Sequence, residues 1–206
     1  MNWQLISFFG DSTVLLPSAA ALFIVLMLRK TSRLLAWQWS LLFGITGAIV
    51  CASKLAFMGW GLGIRELDYT GFSGHSALFW PIFLWLLSAR FSAGLRKAAV
   101  ITGYVLAAVV GYSRLVIHAH SVSEVIAGLL LGAAGSALFL VLQKRTPDPE
   151  SVNISWGGVA CLVMVPLILL HSGSKAPTQS LLGQIATAVG PLDKPFTRTD
   201  LHKQAW

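Results

Sequence analysis

Apolar residues along this chain fall in long, nearly continuous runs separated by short polar clusters, a pattern of buried helices and not of alternating strands. Six runs stand out: Thr13–Leu28, Leu34–Met58, Ser76–Ser88, Ala98–Ile117, Val122–Leu142 and Ser155–Leu170. The third is the shortest, with Phe91 as an extension. A hydrocarbon core of about 30 Å takes roughly 20 residues of helix. The pattern therefore predicts an all-α, polytopic membrane protein, a bundle of six transmembrane helices. The stretch from Ser172 to Trp206 is polar and contains Pro177, Pro191 and Pro195, which divides the chain into a six-helix domain over 1–171 and a C-terminal tail over 172–206. Within the tail, Ser180–Val189 reads either as a short interfacial helix or as part of a loosely ordered segment. The residues before Thr13 include Asp11 and no basic cluster, so the first run is expected to stay as a span and not to be removed as a signal peptide.

Composition narrows the class. Hydrophobic residues make up 55% of the chain and charged residues only 11%, with eight Trp, against about a quarter charged in ordinary soluble domains. The excess of 15 Lys+Arg over 8 Asp+Glu gives +7, but no basic stripe with interleaved aromatics accompanies it, so nucleic acid is not the expected partner. The cations instead set topology. Arg29, Lys30 and Arg33, then Arg90, Arg96 and Lys97, then Lys144 and Arg145 occupy alternate loops, which by the positive-inside rule face the cytoplasm. The loops near 59–75 and 118–121 and both termini then face outward. Lys175, Lys194, Arg198 and Lys203 lie on the outer tail, a mild conflict, since long tails weigh little in that rule. Cys51 and Cys161 sit inside apolar runs and offer neither a disulfide framework nor metal-ligand spacing, and no cofactor is expected.

The remaining ionisable residues are Asp11, Lys54, Arg65, Glu66, Asp68, His75, Arg114, His118, His120 and Glu124, nearly all expected at the outer side. Charges at a helix centre cost about 2.5–3.5 kcal/mol each on insertion scales, so they persist where they line a polar cavity or pathway. His120 and Glu124 are four apart, which puts both on one helical face with the carboxylate able to hold an imidazole nitrogen; the other nitrogen is then free to act as nucleophile or base. His118 falls on another face. Ser121 and Glu124 also fit a capping box, which would explain the acid without chemistry. Gly71-Phe72-Ser73-Gly74-His75-Ser76 places a glycine between Ser and His where backbone N–H groups can approach an anion, with His75 beside it as a proton donor. Lys54 and Arg114 can balance a phosphate, Arg by its planar fork. Snorkelling explains Lys54 equally, and Arg65 can pair with Glu66 or Asp68 at the surface.

In this order, Lys54 and Arg65, Ser73-Gly74-His75, and Ser113-Arg114-x5-His120-x3-Glu124 resemble the type 2 phosphatidic acid phosphatase family, integral membrane lipid phosphatases related to vanadium haloperoxidases. The resemblance spans roughly Lys54 to Gly128. It implies that His120 attacks phosphorus to form a phosphohistidine, that His75 is the general acid, that Glu124 orients His120, and that Lys54, Arg114, Ser73 and Gly74 bind phosphate without metal. Three positions depart from the family pattern. Its Lys-x6-Arg-Pro has Gly61 at the Arg position, leaving Arg65 as the nearest substitute. Phe72 replaces the Pro before Ser-Gly-His, and Glu124 replaces an Asp. The expected function is hydrolysis of a lipid phosphate or pyrophosphate at the outer face of a bacterial-type inner membrane, with undecaprenyl pyrophosphate, phosphatidic acid, phosphatidylglycerol phosphate or lipid A phosphate as substrate candidates. Lipid-to-lipid phosphotransfer uses the same residues. A small transporter or flippase is the non-enzymatic alternative, and a catalytically dead lipid-headgroup binder is a third reading, prompted by the altered first motif.

Overall fold

The computed structural model describes residues 2–77, 79–89, 91–144, 154–172 and 178–203. Arg90, Arg145, Lys175 and Pro177, to which the sequence assigns loop or tail roles, lie outside the described residues. The chain runs through α1 (Trp3–Phe8), α2 (Ser12–Met27), α3 (Arg33–Trp60), α4 (Trp80–Leu87), α5 (Ala93–Val116), α6 (Val122–Lys144), α7 (Trp156–Ser172), α8 (Thr178–Val189) and α9 (Arg198–Lys203). Among the described residues the only extended pairing is one isolated bridge, Ile64 with Tyr69.

Helix limits follow local chemistry. Asp11 caps α2 by accepting from the Thr13 N–H at 2.9 Å, and Ser92 caps α5 through the Leu95 N–H, each satisfying a donor that has no partner inside the helix. The 28-residue α3 ends where Gly61 turns left-handed at φ 71°, a conformation glycine adopts without a Cβ penalty.

Among the described residues three helices, α3, α5 and α6, are long and apolar enough to cross a membrane. Their outer faces carry exposed apolar residues at helical spacing, Leu41, Ile45 and Ile49 on α3 and Ile126 and Leu130 on α6, as expected of surfaces that face lipid tails. The chain is an integral membrane protein. The helices α2 and α7 are also apolar but have 16 and 17 residues, about 24–26 Å at 1.5 Å per residue. The expected third span needs correction: Ser76–Ser88 yields only the eight-residue α4. Ser73 to Ser76 is taken up by a turn, Pro81 starts the helix, and Ser88 closes it by donating to the Trp85 carbonyl at 2.9 Å. Phe91 does not extend it; it lies in the turn before α5 with its N–H on the Ser88 carbonyl.

The main core lies toward the end of the bundle where α3 begins, built from Leu22 and Leu26 of α2, Trp39 of α3, Ile82 and Leu86 of α4, Phe139 of α6 and Leu162 of α7. At the same end Gln143 donates to Gln38 at 2.7 Å, joining α6 to α3. The opposite end, where α3 and α5 finish and α6 starts, is less apolar and holds the charges. The C-terminal segment returns there. Gly183 and Ala186 of α8 are buried, Gly59 of α3 packs directly under the Ala186 carbonyl, and the Phe196 N–H donates to the Met58 carbonyl at 2.8 Å. Of the two readings of Ser180–Val189, the helical one is realised, and the helix is docked on α3 with Leu181, Ile185 and Val189 left exposed.

Candidate active site

A cavity of about 690 Å³ opens at the charged end. Lys54, Gly74, His75, Arg114 and His120 line it, together with Arg198 from the C-terminal segment. They come from five pieces of chain: the last turns of α3, the loop before α4 (Gly74 and His75), the last turn of α5, the turn before α6, and the start of α9.

His120 Nδ1 lies 2.6 Å from Glu124 Oε2. Because an ionised carboxylate only accepts, Nδ1 carries the hydrogen and Nε2 keeps its lone pair. Burial pushes the His120 imidazole below its ordinary value, opposed by Glu124 and reinforced by Lys54 and Arg114. It is neutral at pH 7. The capping box is present too: the Ser121 N–H donates to Glu124 Oε2 at 3.2 Å and the Glu124 N–H to Ser121 Oγ at 3.4 Å. The two readings of Glu124 are therefore one geometry, a carboxylate that starts α6 and holds the imidazole. His118 sits exposed at φ 53° and does not line the cavity.

Glu124 is fully buried, and burying a carboxylate requires compensation by hydrogen bonds and opposite charge. Its second oxygen, Oε1, accepts from the Thr70 N–H at 2.9 Å, from the Thr70 hydroxyl, and from Arg198 Nη2 at 2.7 Å. The backbone carbonyl of Glu124 in turn accepts from the Ser73 N–H at 3.1 Å. This last bond fixes the Ser73-Gly74-His75 turn against α6, and it requires Gly128: a Cβ there would stand 2.5 Å from the Ser73 carbonyl oxygen. Ser73 is fully buried and accepts from Ser76 Oγ at 3.0 Å. It stands behind the cavity wall, with Gly74 and His75 in front of it.

His75 Nε2 is 3.7 Å from Asp11 Oδ2. Asp11 Oδ1 is occupied by the Thr13 N–H and hydroxyl at 2.9 and 2.8 Å, so one carboxylate caps α2 and faces the imidazole. Burial lowers His75 to about 4, with Asp11 pulling upward and Arg114 and His120 adding to the depression. The contact with His75, followed by the Thr13 bonds, holds the Asp11 carboxyl well below the usual carboxylate range. At pH 7 an anionic Asp11 thus faces a neutral His75.

Arg114 donates to Ser7 Oγ at 2.5 Å, while its buried Nε has no partner among the described residues. Its place in the last turn of α5 also puts a cation at the negative end of the helix dipole. Lys54 packs against Gly71, whose φ of 136° favours glycine and whose added Cβ would stand 3.2 Å from Lys54 Cγ. Arg65 lies in an exposed 3-10 turn, Arg65–Leu67, and does not line the cavity. Gly61, at the Arg position of the Lys-x6-Arg-Pro pattern, lies beneath the Phe196 ring.

Sequence reasoning left two contributors without a role. Asp11 was visible as the one acid before the first apolar run, but nothing local tied it to His75. Arg198 carried no signal at all, being one of several tail cations more than 70 residues beyond Glu124.

Comparison with known proteins agrees with this geometry. The sequence model of the PAP2 superfamily matches residues 56–147, a span that contains His75, Arg114, His120 and Glu124 and ends before Arg198. The chain is 97% identical, over the full length of both, to an "Uncharacterized 22.5 kDa protein in cps region" of Klebsiella pneumoniae. No solved structure matches. With the two histidine motifs inside the matched span and converging on one cavity, the chain belongs to the PAP2 superfamily, the family of type 2 phosphatidic acid phosphatases.

Proposed function

We propose that this protein is a membrane phosphatase that hydrolyses a lipid phosphate or pyrophosphate at the outer face of a bacterial inner membrane through a phosphohistidine on His120. The proposal includes six crossings, by α2, α3, the stretch 73–88 of turn and short helix taken together, α5, α6 and α7, with the 172–206 segment on the outer side over the site. The observation that carries the lipid substrate is the shape of the cavity. Its charged end is lined by Lys54, His75, Arg114 and His120, and its wall continues along Leu15 and Leu16 of α2 and up α3 through Val50 to Phe43. From Lys54 to Phe43 is about 16 Å of helix. A phosphate at the charged end with a hydrocarbon chain along that wall fits both halves, whereas a soluble ester would leave the apolar half wet.

The chemistry follows from the charges. A bound phosphate is held by Lys54, Arg114 and the N–H groups of the Gly74 turn, which stabilise the charge that spreads over its oxygens during transfer. Its negative charge also raises the proton affinity of the neighbouring His75, so the imidazolium forms between Asp11 and phosphate. His120 Nε2 attacks phosphorus as the bond to the lipid oxygen breaks, and His75 gives its proton to that oxygen. Neutral His75 then takes a proton from water as the water oxygen attacks the phosphohistidine, which releases inorganic phosphate and restores His120. Glu124 holds Nδ1–H throughout.

Detergent-solubilised protein tested on a panel of phosphatidate, phosphatidylglycerol phosphate, prenyl pyrophosphate and lipid A checks this directly. Phosphate release that persists with chelator and is inhibited by vanadate is the expected result. No release from any member of the panel, with anion transport in reconstituted vesicles, would refute it and favour the transporter reading.

A further inference from the structure

The fixed positive charge that touches the buried Glu124 carboxylate among the described residues arrives from the far end of the chain. Arg198 forks between two acids, with Nη2 on Glu124 Oε1 at 2.7 Å and Nη1 on Asp68 Oδ2 at 2.6 Å. His202 Nε2 holds the other oxygen of Asp68 at 2.8 Å. The segment delivering Arg198 is fixed in place. The Phe196 N–H bonds the Met58 carbonyl at 2.8 Å, the Phe196 ring meets Phe57 edge-on at 5.5 Å, and the N–H of Thr197 donates to Asp200 Oδ2 at 3.0 Å.

We infer that Arg198 is a positioning residue for the nucleophile: by holding Glu124 Oε1 it keeps Oε2 on His120 Nδ1, and by offsetting the carboxylate charge it keeps His120 Nε2 unprotonated. The inference deepens the proposed function and rests on His120 as nucleophile. Its basis is the division of labour on one carboxylate. Oε2 faces His120 and the Ser121 N–H, while Oε1 takes Thr70 and Arg198. Thr70 is neutral, so the fixed charge seen in direct contact with Oε1 among the described residues is that of Arg198. An Arg–carboxylate bond is both stronger and more directional than a neutral one.

The sign of the effect follows from all the groups around the pair. Burial, then Lys54 on α3 and Arg114 on α5, oppose a proton on His120, and Glu124 favours one; His75, on the loop before α4, faces the same cavity. Asp68 and Tyr69 on the same loop, and Arg198 and His202 on the C-terminal segment, complete the surroundings. Replacing Arg198 by a neutral residue leaves both Glu124 and Asp68 less compensated, so the imidazolium gains stability and the nucleophile is protonated at higher pH.

The test uses full-length protein in detergent, with His120 followed by nitrogen NMR in the absence of substrate and turnover measured from pH 5 to 9. R198Q should raise the His120 midpoint by about one pH unit and lower kcat more at pH 6 than at pH 8. R198K, which keeps the charge and loses the fork, should leave the midpoint near that of the unmodified protein while lowering kcat severalfold. D68N removes a negative charge without touching the dyad and should move the midpoint down, which keeps a directional test if R198Q does not fold. A His120 midpoint unmoved in both R198Q and D68N, or an R198Q deficit equal at all pH values, overturns the inference. Because the midpoint is read without turnover, an inactive protein refutes the proposed function and leaves this test standing.

Discussion

Substituting Gly128 by Ala should disable the site by displacing His75, the proposed general acid, without touching any charged group. The added Cβ would stand 2.5 Å from the Ser73 carbonyl oxygen and 3.0 Å from Ser76 Cβ, where ordinary contact begins at 3.4 Å. The turn must therefore retreat from α6 by about 0.9 Å, or α6 must move away from it, since the clash is with backbone and cannot be relieved by a rotamer. Either shift strains the 3.1 Å bond from the Ser73 N–H to the Glu124 carbonyl. The stability cost is about 1–3 kcal/mol, as for other overpacked interiors. The functional cost is larger. His75 is two residues along the same turn, and a misplacement of about 1 Å at a reacting group costs on the order of 100-fold in rate, or about 2.7 kcal/mol in the barrier. The assay is phosphate release from a lipid substrate at saturation, with thermal unfolding followed on the same preparation. Gly44→Ala is the control, because nothing lies within 4 Å of its added Cβ. If Gly128→Ala is folded and keeps kcat within threefold of the unmodified protein, the close approach of the turn to α6 does not set the position of His75 and the reasoning fails.

Two further outcomes separate the individual residues. His120→Ala should abolish both turnover and acid-labile phosphoenzyme, whereas His118→Ala, at an exposed left-handed position outside the cavity lining, should retain substantial activity; the reverse ranking would move the nucleophile. Asp11→Asn removes the anion that raises His75, so the protonated acid is lost at lower pH: the basic limb of the kcat profile should shift acidward and kcat at pH 7 should fall, and an unchanged limb would dissociate Asp11 from the proton donor.

Periodicity and spacing made much of this molecule legible. Long apolar runs placed α2, α3, α5, α6 and α7 to within a few residues, because a helix in lipid needs little beyond continuous hydrophobicity. The same signal failed at Ser76–Ser88, where composition is apolar but serines and Pro81 divert the backbone into a turn and an eight-residue helix. On the site, the four-residue spacing of His120 and Glu124 anticipated their contact, since one helical turn fixes that distance. Contacts between distant segments carried no such local trace. Asp11 meets His75 only because α2 and the loop before α4 converge. Gly61 shows the limit from the other side: a departure from the family pattern is readable, but its structural context, Phe196 packed on Gly61, depends on how the C-terminal segment returns.

The span from Asp11 to Arg198 also has a meaning in time. The acid beside one histidine emerges almost first in synthesis and the cation beside the other almost last, and at about 5–20 residues per second the two are separated by roughly 10–40 s. For the last 74 residues of that interval, roughly 4–15 s, Glu124 is in the chain without its charged partner. The pairing of Glu124 with Arg198 is thus completed only after α8 and the segment carrying Phe196 have been made and packed on the end of α3, which makes the proposed nucleophile's partner carboxylate one of the last parts of the site to gain its contacts.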